Sequence, residues 1–191
     1  MVKYVKPRSK GGGPDISRII KQFHHIDVGT VMKSKMWDMS FVTPDTPVEE
    51  VIGILSSRKH IWVVESIKTM RLRGLITERD LVDVIAPRKI DPYQLTISGH
   101  HFRSLLFGGV EVAEDMMSTD LVTIVPTQTM GKALLKMKRH HLKRLPVTTK
   151  GKIVGELTMK SIILQFKKVL RWTQILEEQK PSKEGTPKKK K

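Results

Sequence analysis

The sequence predicts an α/β fold of the α+β kind: two β-α-β-β-α units that pack against one another, with a helix flanking each end. Three observations predict it. The first is an internal repeat. VGTVMKSKMWDMSFVTP from Val28 stands beside VAEDMMSTDLVTIVP from Val112, and Val28 to Val112 and Met32 to Met116 are both 84 residues apart. The second is that the same series of hydrophobic periods follows each opening: helical, strand, strand, helical. The third is size. A chain of 191 residues with 39% apolar content can bury a core without cross-links, and it has no cysteine to make any.

The elements follow in order. Residues 1–14 are a basic flexible tail ending in Gly11, Gly12, Gly13 and Pro14. Residues 15–27 are a helical lead-in, with Ile16, Ile19, Ile20 and Phe23 at i, i+3, i+4 and i+7. The first unit spans 28–86 and the second 112–170, and each opens through a β-rich stretch to a proline, Pro44 or Pro126. The first-unit helix starts on a capping box, with Thr46 as N-cap, Pro47 at N1 and Glu49 at N3. Its apolar positions are Val48, Val51, Ile52 and Leu55, matched by Met130, Ala133, Leu134 and Met137 in the second unit.

The strands Ile61–Val64 and Gly74–Thr77 match Leu145–Thr148 and Gly155–Thr158. Closing helices begin at Glu78 and Met159. Between the units, a linker over 87–111 carries Pro87, Pro92, Gly108 and Gly109, with a short helix expected around His100 to Phe107. Ile162, Ile163, Phe166, Val169, Leu170 and Leu176 extend the last helix over 171–179, with Trp172 poised to dock on the other unit or on a second subunit. Residues 180–191 form a second basic tail.

Thirty-five Lys and Arg oppose nineteen Asp and Glu, a net charge of +16, of which the two tails hold +9 and the body +7. Such a surface attracts polyanions: nucleic acid, nucleotides or acidic membranes. Lys132, Lys136, Arg139 and Lys143 fall on one helical face if the helix runs that far, a candidate phosphate-tracking stripe for nucleic acid. The alternative is a solvated face that also lines a nucleotide cleft. Aromatics are only 5% of the chain, which argues against a base-stacking platform. The histidine pairs His24-His25, His100-His101 and His140-His141 diverge on a helix and make poor chelators, so no metal is expected. Spacing yields no Ser-His-Asp set or carboxylate pair, so no enzyme is expected. The sequence shows no apolar run of about 18 residues and no hydrophobic leader, which points to the cytoplasm.

Thr77 ends a strand and begins a helix, so its hydroxyl and the first-turn N–H groups suit a phosphate. Asp80, one turn on, offers two acceptors to a ribose cis-diol. A Thr followed three residues later by an acid is also a capping arrangement, and both readings stand at this point.

The V-x-x-x-M openings, the Thr46-Pro47-Val48-Glu49-Glu50 helix start, the Leu145-Pro146-Val147 strand and Gly74-Leu75-Ile76-Thr77-Glu78-Arg79-Asp80 together resemble a tandem pair of CBS domains, a Bateman module of stand-alone type. The resemblance covers about 28–86 and 112–170. It implies a pseudo-twofold disc, stacked with a second disc as a homodimer. It also implies a regulatory rather than catalytic protein that binds AMP, ADP, ATP or S-adenosylmethionine as a regulatory ligand and signals to an effector protein. No other cofactor is implied.

The resemblance further implies composite sites. The stronger would combine Thr77, Arg79 and Asp80 with Thr119, Asp120, Val122, Pro146 and Val147, assisted by Lys59 and His60. The weaker would combine Thr158, Lys160, Ser161, Lys143 and Arg144 with Ser40, Phe41 and Val63. The second motif departs from the pattern, since Ser161 replaces the aspartate and Lys160 adds charge. That half-site should hold nucleosides less well, or prefer a bare phosphate. In the first unit Trp62 stands where the strand proline would be, either stacked on a base, or filling and blocking the adenine pocket, or simply in the core.

Overall fold

The computed structural model describes residues 15–85 and 110–178. Both tails and most of the linker, including the expected helix at 100–107, lie outside the described residues. Helix α1 (Ile16–His24) is capped by Asp15, whose carboxylate accepts from the backbone N–H of Ser17 at 3.0 Å and of Arg18 at 3.4 Å. Only Ile19 and Phe23 of its expected face are buried, while Ile16 and Ile20 are exposed. Phe23 meets Phe166 edge-on at 5.1 Å, fixing α1 on the last helix.

The first unit runs through α2 (Val28–Val31), a 3-10 turn (Met36–Asp38), β1 (Phe41–Val42), α3 (Val48–Leu55), β2 (His60–Val64), β3 (Leu72–Thr77) and α4 (Glu78–Ile85). The second runs through α5 (Ala113–Met116), α6 (Met130–Arg139), β4 (Arg144–Thr149), β5 (Lys152–Thr158) and α7 (Met159–Glu178). The first sheet has the order β1-β2-β3, with β1 parallel and β3 antiparallel to β2. The second is the antiparallel pair β4-β5, and the expected opening strand survives only as a parallel bridge from Ile124 to Val147. The cause is one residue. In the first unit the Trp62 N–H donates to the Ser40 carbonyl at 2.9 Å. Its counterpart Pro146 has no N–H, so that rung cannot form.

The two units are interlocked rather than merely apposed. The segment after α2 crosses to the edge of β5, where Lys33 and Glu156 exchange backbone bonds of 2.8 and 3.0 Å. Symmetrically, the segment after α5 crosses to β3, where Leu75 and Ser118 exchange bonds of 3.0 and 2.9 Å. Each crossing passes over a glycine. A Cβ at Gly155 would lie 2.5 Å from the Lys33 carbonyl oxygen, and one at Gly74 would lie 2.4 Å from the Met117 sulfur. The openings are also tied to the far unit's helix start: Val28 N–H donates to Gln128, and Ala113 N–H donates to Thr46, each at 2.8 Å.

Two local expectations are corrected. Helix α3 begins at Val48 with Pro47 in the cap position and no side-chain cap. The Thr46 hydroxyl instead accepts from the Thr43 N–H at 3.0 Å, closing the preceding turn. Ile52 is 41% exposed, leaving Val51 and Leu55 as the buried residues of that helix. The core divides in three. One cluster lies in each unit, and a third, of Met39, Trp62, Val64 and Ile153, spans the junction. Trp62 is fully buried there, as its core reading expects.

Candidate functional site

The end of β3 places Thr77 and Asp80 against the second unit. One Asp80 oxygen accepts from the Thr77 N–H at 2.7 Å and from its hydroxyl at 2.6 Å. The other accepts from the Ser118 hydroxyl at 3.3 Å. The capping arrangement is therefore real, and the second oxygen ties it to Ser118 of the other unit. Arg79, Thr119 and Asp120 are exposed nearby in sequence, and Val122 is half-buried. Pro146 and Val147 are buried in β4, so their side chains are core. Val63 is likewise core, and Phe41 packs half-buried on the junction cluster.

The corresponding motif in the second unit closes differently. Thr158 N–H donates to the Ser161 hydroxyl and Ser161 N–H donates to the Thr158 hydroxyl, both at 3.1 Å. This end of β5 opens on a cleft of about 430 Å³ between the units. It brings together Ser40, Lys143, Arg144, Thr158 and Lys160 of the expected weaker site. Lys59 and His60, expected in the stronger site, line the same cleft. His60 is the strand partner of Thr77, as Arg144 is of Thr158, but the His60 and Arg144 side chains turn to one another across the junction.

Beside His60 lies a group which sequence reasoning missed. Glu156, 3% exposed, accepts from His60 Nε2 at 2.8 Å and from the Trp62 indole N–H at 3.4 Å, and pairs with Lys33 at 3.6 Å. Burial pushes its carboxyl up. The hydrogen bond from His60 and the charges of His60, Lys33 and Arg144 outweigh burial and hold it below the ordinary glutamate range. Burial lowers the Arg144 proton affinity, against the opposing pull of Glu156 and Glu78. The signal for Glu156 was present in the sequence: a charged residue interrupts an apolar strand where the first unit has Leu75. Lys33, Asp38 and Arg58, which also line the cleft, carried no motif.

The basic stripe does not survive intact. Helix α6 ends at Arg139, and His141 turns the chain with a φ of 54°, so Lys143 leaves that face for the cleft. Lys136 donates to the Thr123 carbonyl at 2.7 Å. Among the described residues, Lys132 and Arg139 remain as exposed stripe residues without such engagement. Among the described residues no group of three or more metal-ligating side chains occurs, and no helix is long and apolar enough to cross a membrane.

Comparison with known proteins agrees with this architecture. A search of curated proteins found no match. Among solved structures, the protein CBSX2 in complex with AMP superposes with a TM-score of 0.60 at 18% identity, covering 75% of this chain and 97% of that one. CBSX2 solved from Arabidopsis thaliana superposes at 0.57 and 20% identity, over 77% and 98% of the two chains. A putative acetoin utilization protein from Vibrio cholerae gives 0.57 at 19% identity, over 82% and 99%. The CBS domain pair of protein MJ0100, solved with 5′-methylthioadenosine and S-adenosyl-L-methionine, gives 0.53 at 16% identity, over 75% and 98%. The family model described as CBS domain matches residues 28–87 and again 112–168, more than half of the sequence. With that double match, on a fold whose two units exchange their opening segments, the chain belongs to the CBS-domain family as a tandem pair.

Proposed function

We propose that this CBS pair is a regulatory module that binds an adenosine-containing ligand and passes the binding state to a partner protein. The observation that carries the reading is the Asp80 network. One carboxylate joins Thr77 of the first unit to Ser118 of the second, so a ligand that engages Asp80 bears on the junction itself. The AMP and S-adenosyl-L-methionine complexes of CBSX2 and MJ0100 supply the ligand class by analogy. Thr77 and the start of α4 would take a phosphate, and the outer Asp80 oxygen a ribose hydroxyl. A second copy of the chain is the proposed assembly partner, because apolar residues stand exposed on the helices of both units: Ile52, Val82 and Ile85 in the first, Leu135, Ile163 and Leu164 in the second.

The test is a thermal-shift series with AMP, ADP, ATP, S-adenosylmethionine and a short DNA duplex, on the wild type and Asp80→Ala. A ligand at 100 times its Kd adds about 2.7 kcal/mol of stability. The expected result is a shift with one adenosine compound that Asp80→Ala abolishes. A salt-sensitive shift with DNA alone would overturn the reading and make the basic surface the function.

A further inference from the structure

The cleft at Thr158 is built for a different ligand chemistry from the Asp80 site. Six permanent cations line it, Lys33, Arg58, Lys59, Lys143, Arg144 and Lys160, against the two carboxylates Asp38 and Glu156. Glu156 is turned inward and already holds His60, Trp62 and Lys33. Arg58 is steadied by the Asp38 carbonyl at 3.4 Å. Among the described residues, Lys59, Lys143 and Lys160 have no side-chain hydrogen bond or ion pair to hold them. Three unpaired ammonium groups thus surround a cavity of about 430 Å³, within the size range of small-molecule sites.

At the motif position of Asp80 this cleft has no carboxylate to read a ribose. Ser161 occupies that position and is consumed by its reciprocal bonds with Thr158. The donors that remain, ammonium and guanidinium groups and the start of a twenty-residue helix, all favour anionic oxygen. A single phosphate monoester brings about two negative charges. That falls short of the four-charge excess of cations over carboxylates in the lining. A chain of linked phosphates would meet it.

We infer that this cleft binds a ligand carrying two or more linked phosphates and recognises it through those phosphates, without requiring ribose or base. The chain could come from a nucleoside triphosphate or from an inorganic oligophosphate, and the shared chemistry is the phosphate chain. The inference does not depend on nucleoside binding at Asp80, and its test keeps the two apart.

The experiment is titration calorimetry on the full chain at fixed ionic strength with a metal chelator present. The probes are inorganic tripolyphosphate, ATP, AMP and orthophosphate. The proteins are the wild type, Asp80→Ala, the cleft pair Lys143→Gln with Lys160→Gln, and two charge-matched controls. One control changes Lys150 of the hairpin turn and Lys152 at the start of β5, both exposed, to Gln, and the other changes the tail residues Lys188 and Lys189 to Gln. Tripolyphosphate and ATP are expected to bind with similar affinity, each at least about tenfold tighter than AMP or orthophosphate. The cleft pair should weaken tripolyphosphate by at least about tenfold, while both controls and Asp80→Ala leave it within about twofold. Three results would overturn the inference: binding of ATP without tripolyphosphate, equal loss in either control, or loss of tripolyphosphate in Asp80→Ala. Failure of AMP to respond to Asp80→Ala would count against the nucleoside site alone.

Discussion

At the same register position the two units carry opposite residues. Leu75 of β3 lies across from Trp62, while Glu156 of β5 lies across from Pro146. Both positions take a crossing segment from the other unit, by way of Ser118 and Lys33 respectively. Their backbones do the same job, and their side chains do not. Leu75 packs on the junction cluster, while Glu156 reaches across the pseudo-twofold axis to the indole N–H of Trp62. The two residues that break the repeat, Trp62 and Glu156, are thus partners. A duplicated unit need not vary position by position, because a change in one copy can be satisfied only by a change in the other.

The largest expected effect comes from removing that partnership. Glu156→Leu restores the repeat but leaves His60, Trp62 and Lys33 without their acceptor. Breaking a buried pair of this kind costs about 3–5 kcal/mol, to be read from urea unfolding. In a double-mutant cycle with Trp62→Phe the two losses should be less than additive. Next come the crossings. Gly155→Ala sets a Cβ against the Lys33 backbone carbonyl, which cannot swing away, whereas Gly74→Ala meets the flexible Met117 side chain. Overpacking costs about 1–3 kcal/mol, so Gly155→Ala should sit at the top of that range and Gly74→Ala at the bottom.

A smaller effect appears with pH. The Glu156 carboxyl is held lower in the folded protein than in the unfolded chain. Its stabilisation is therefore present above the ordinary glutamate value and is lost as pH falls through the folded one. Denaturant midpoints of Glu156→Gln measured from about pH 7 down to about pH 3 should accordingly show a shallower acid limb than the wild type. The smallest effect tests the lead-in. Asp15→Ala removes the cap of α1 and should cost about 1 kcal/mol in the same unfolding assay.

Much of the fold was legible because its signals are local. The helical spacing of Met130, Ala133 and Met137 and the turn residues around each strand need no knowledge of the far unit, and all three of those side chains are buried. The site was less legible because it depends on what the chain brings together over long distances. Sequence reading assigns His60 and Arg144 to two different expected sites. That they meet and share one cleft depends on the pairing of the units, which no spacing within either copy encodes. The stripe failed for a related reason. Spacing placed Lys143 on a helical face, but the helix stops at Arg139 and the chain turns through His141.

The exchanged openings also bear on how the protein can be made. Until residue 118 has been synthesised, the first unit's last strand presents the Leu75 N–H and carbonyl as a bare edge, because Ser118 is their partner. The same holds for Glu156 in a fragment that lacks Lys33. Either half expressed alone would carry an open strand edge, the feature through which β proteins associate wrongly. Supplied together in one cell, the severed halves would each find in the other the segment that covers that edge.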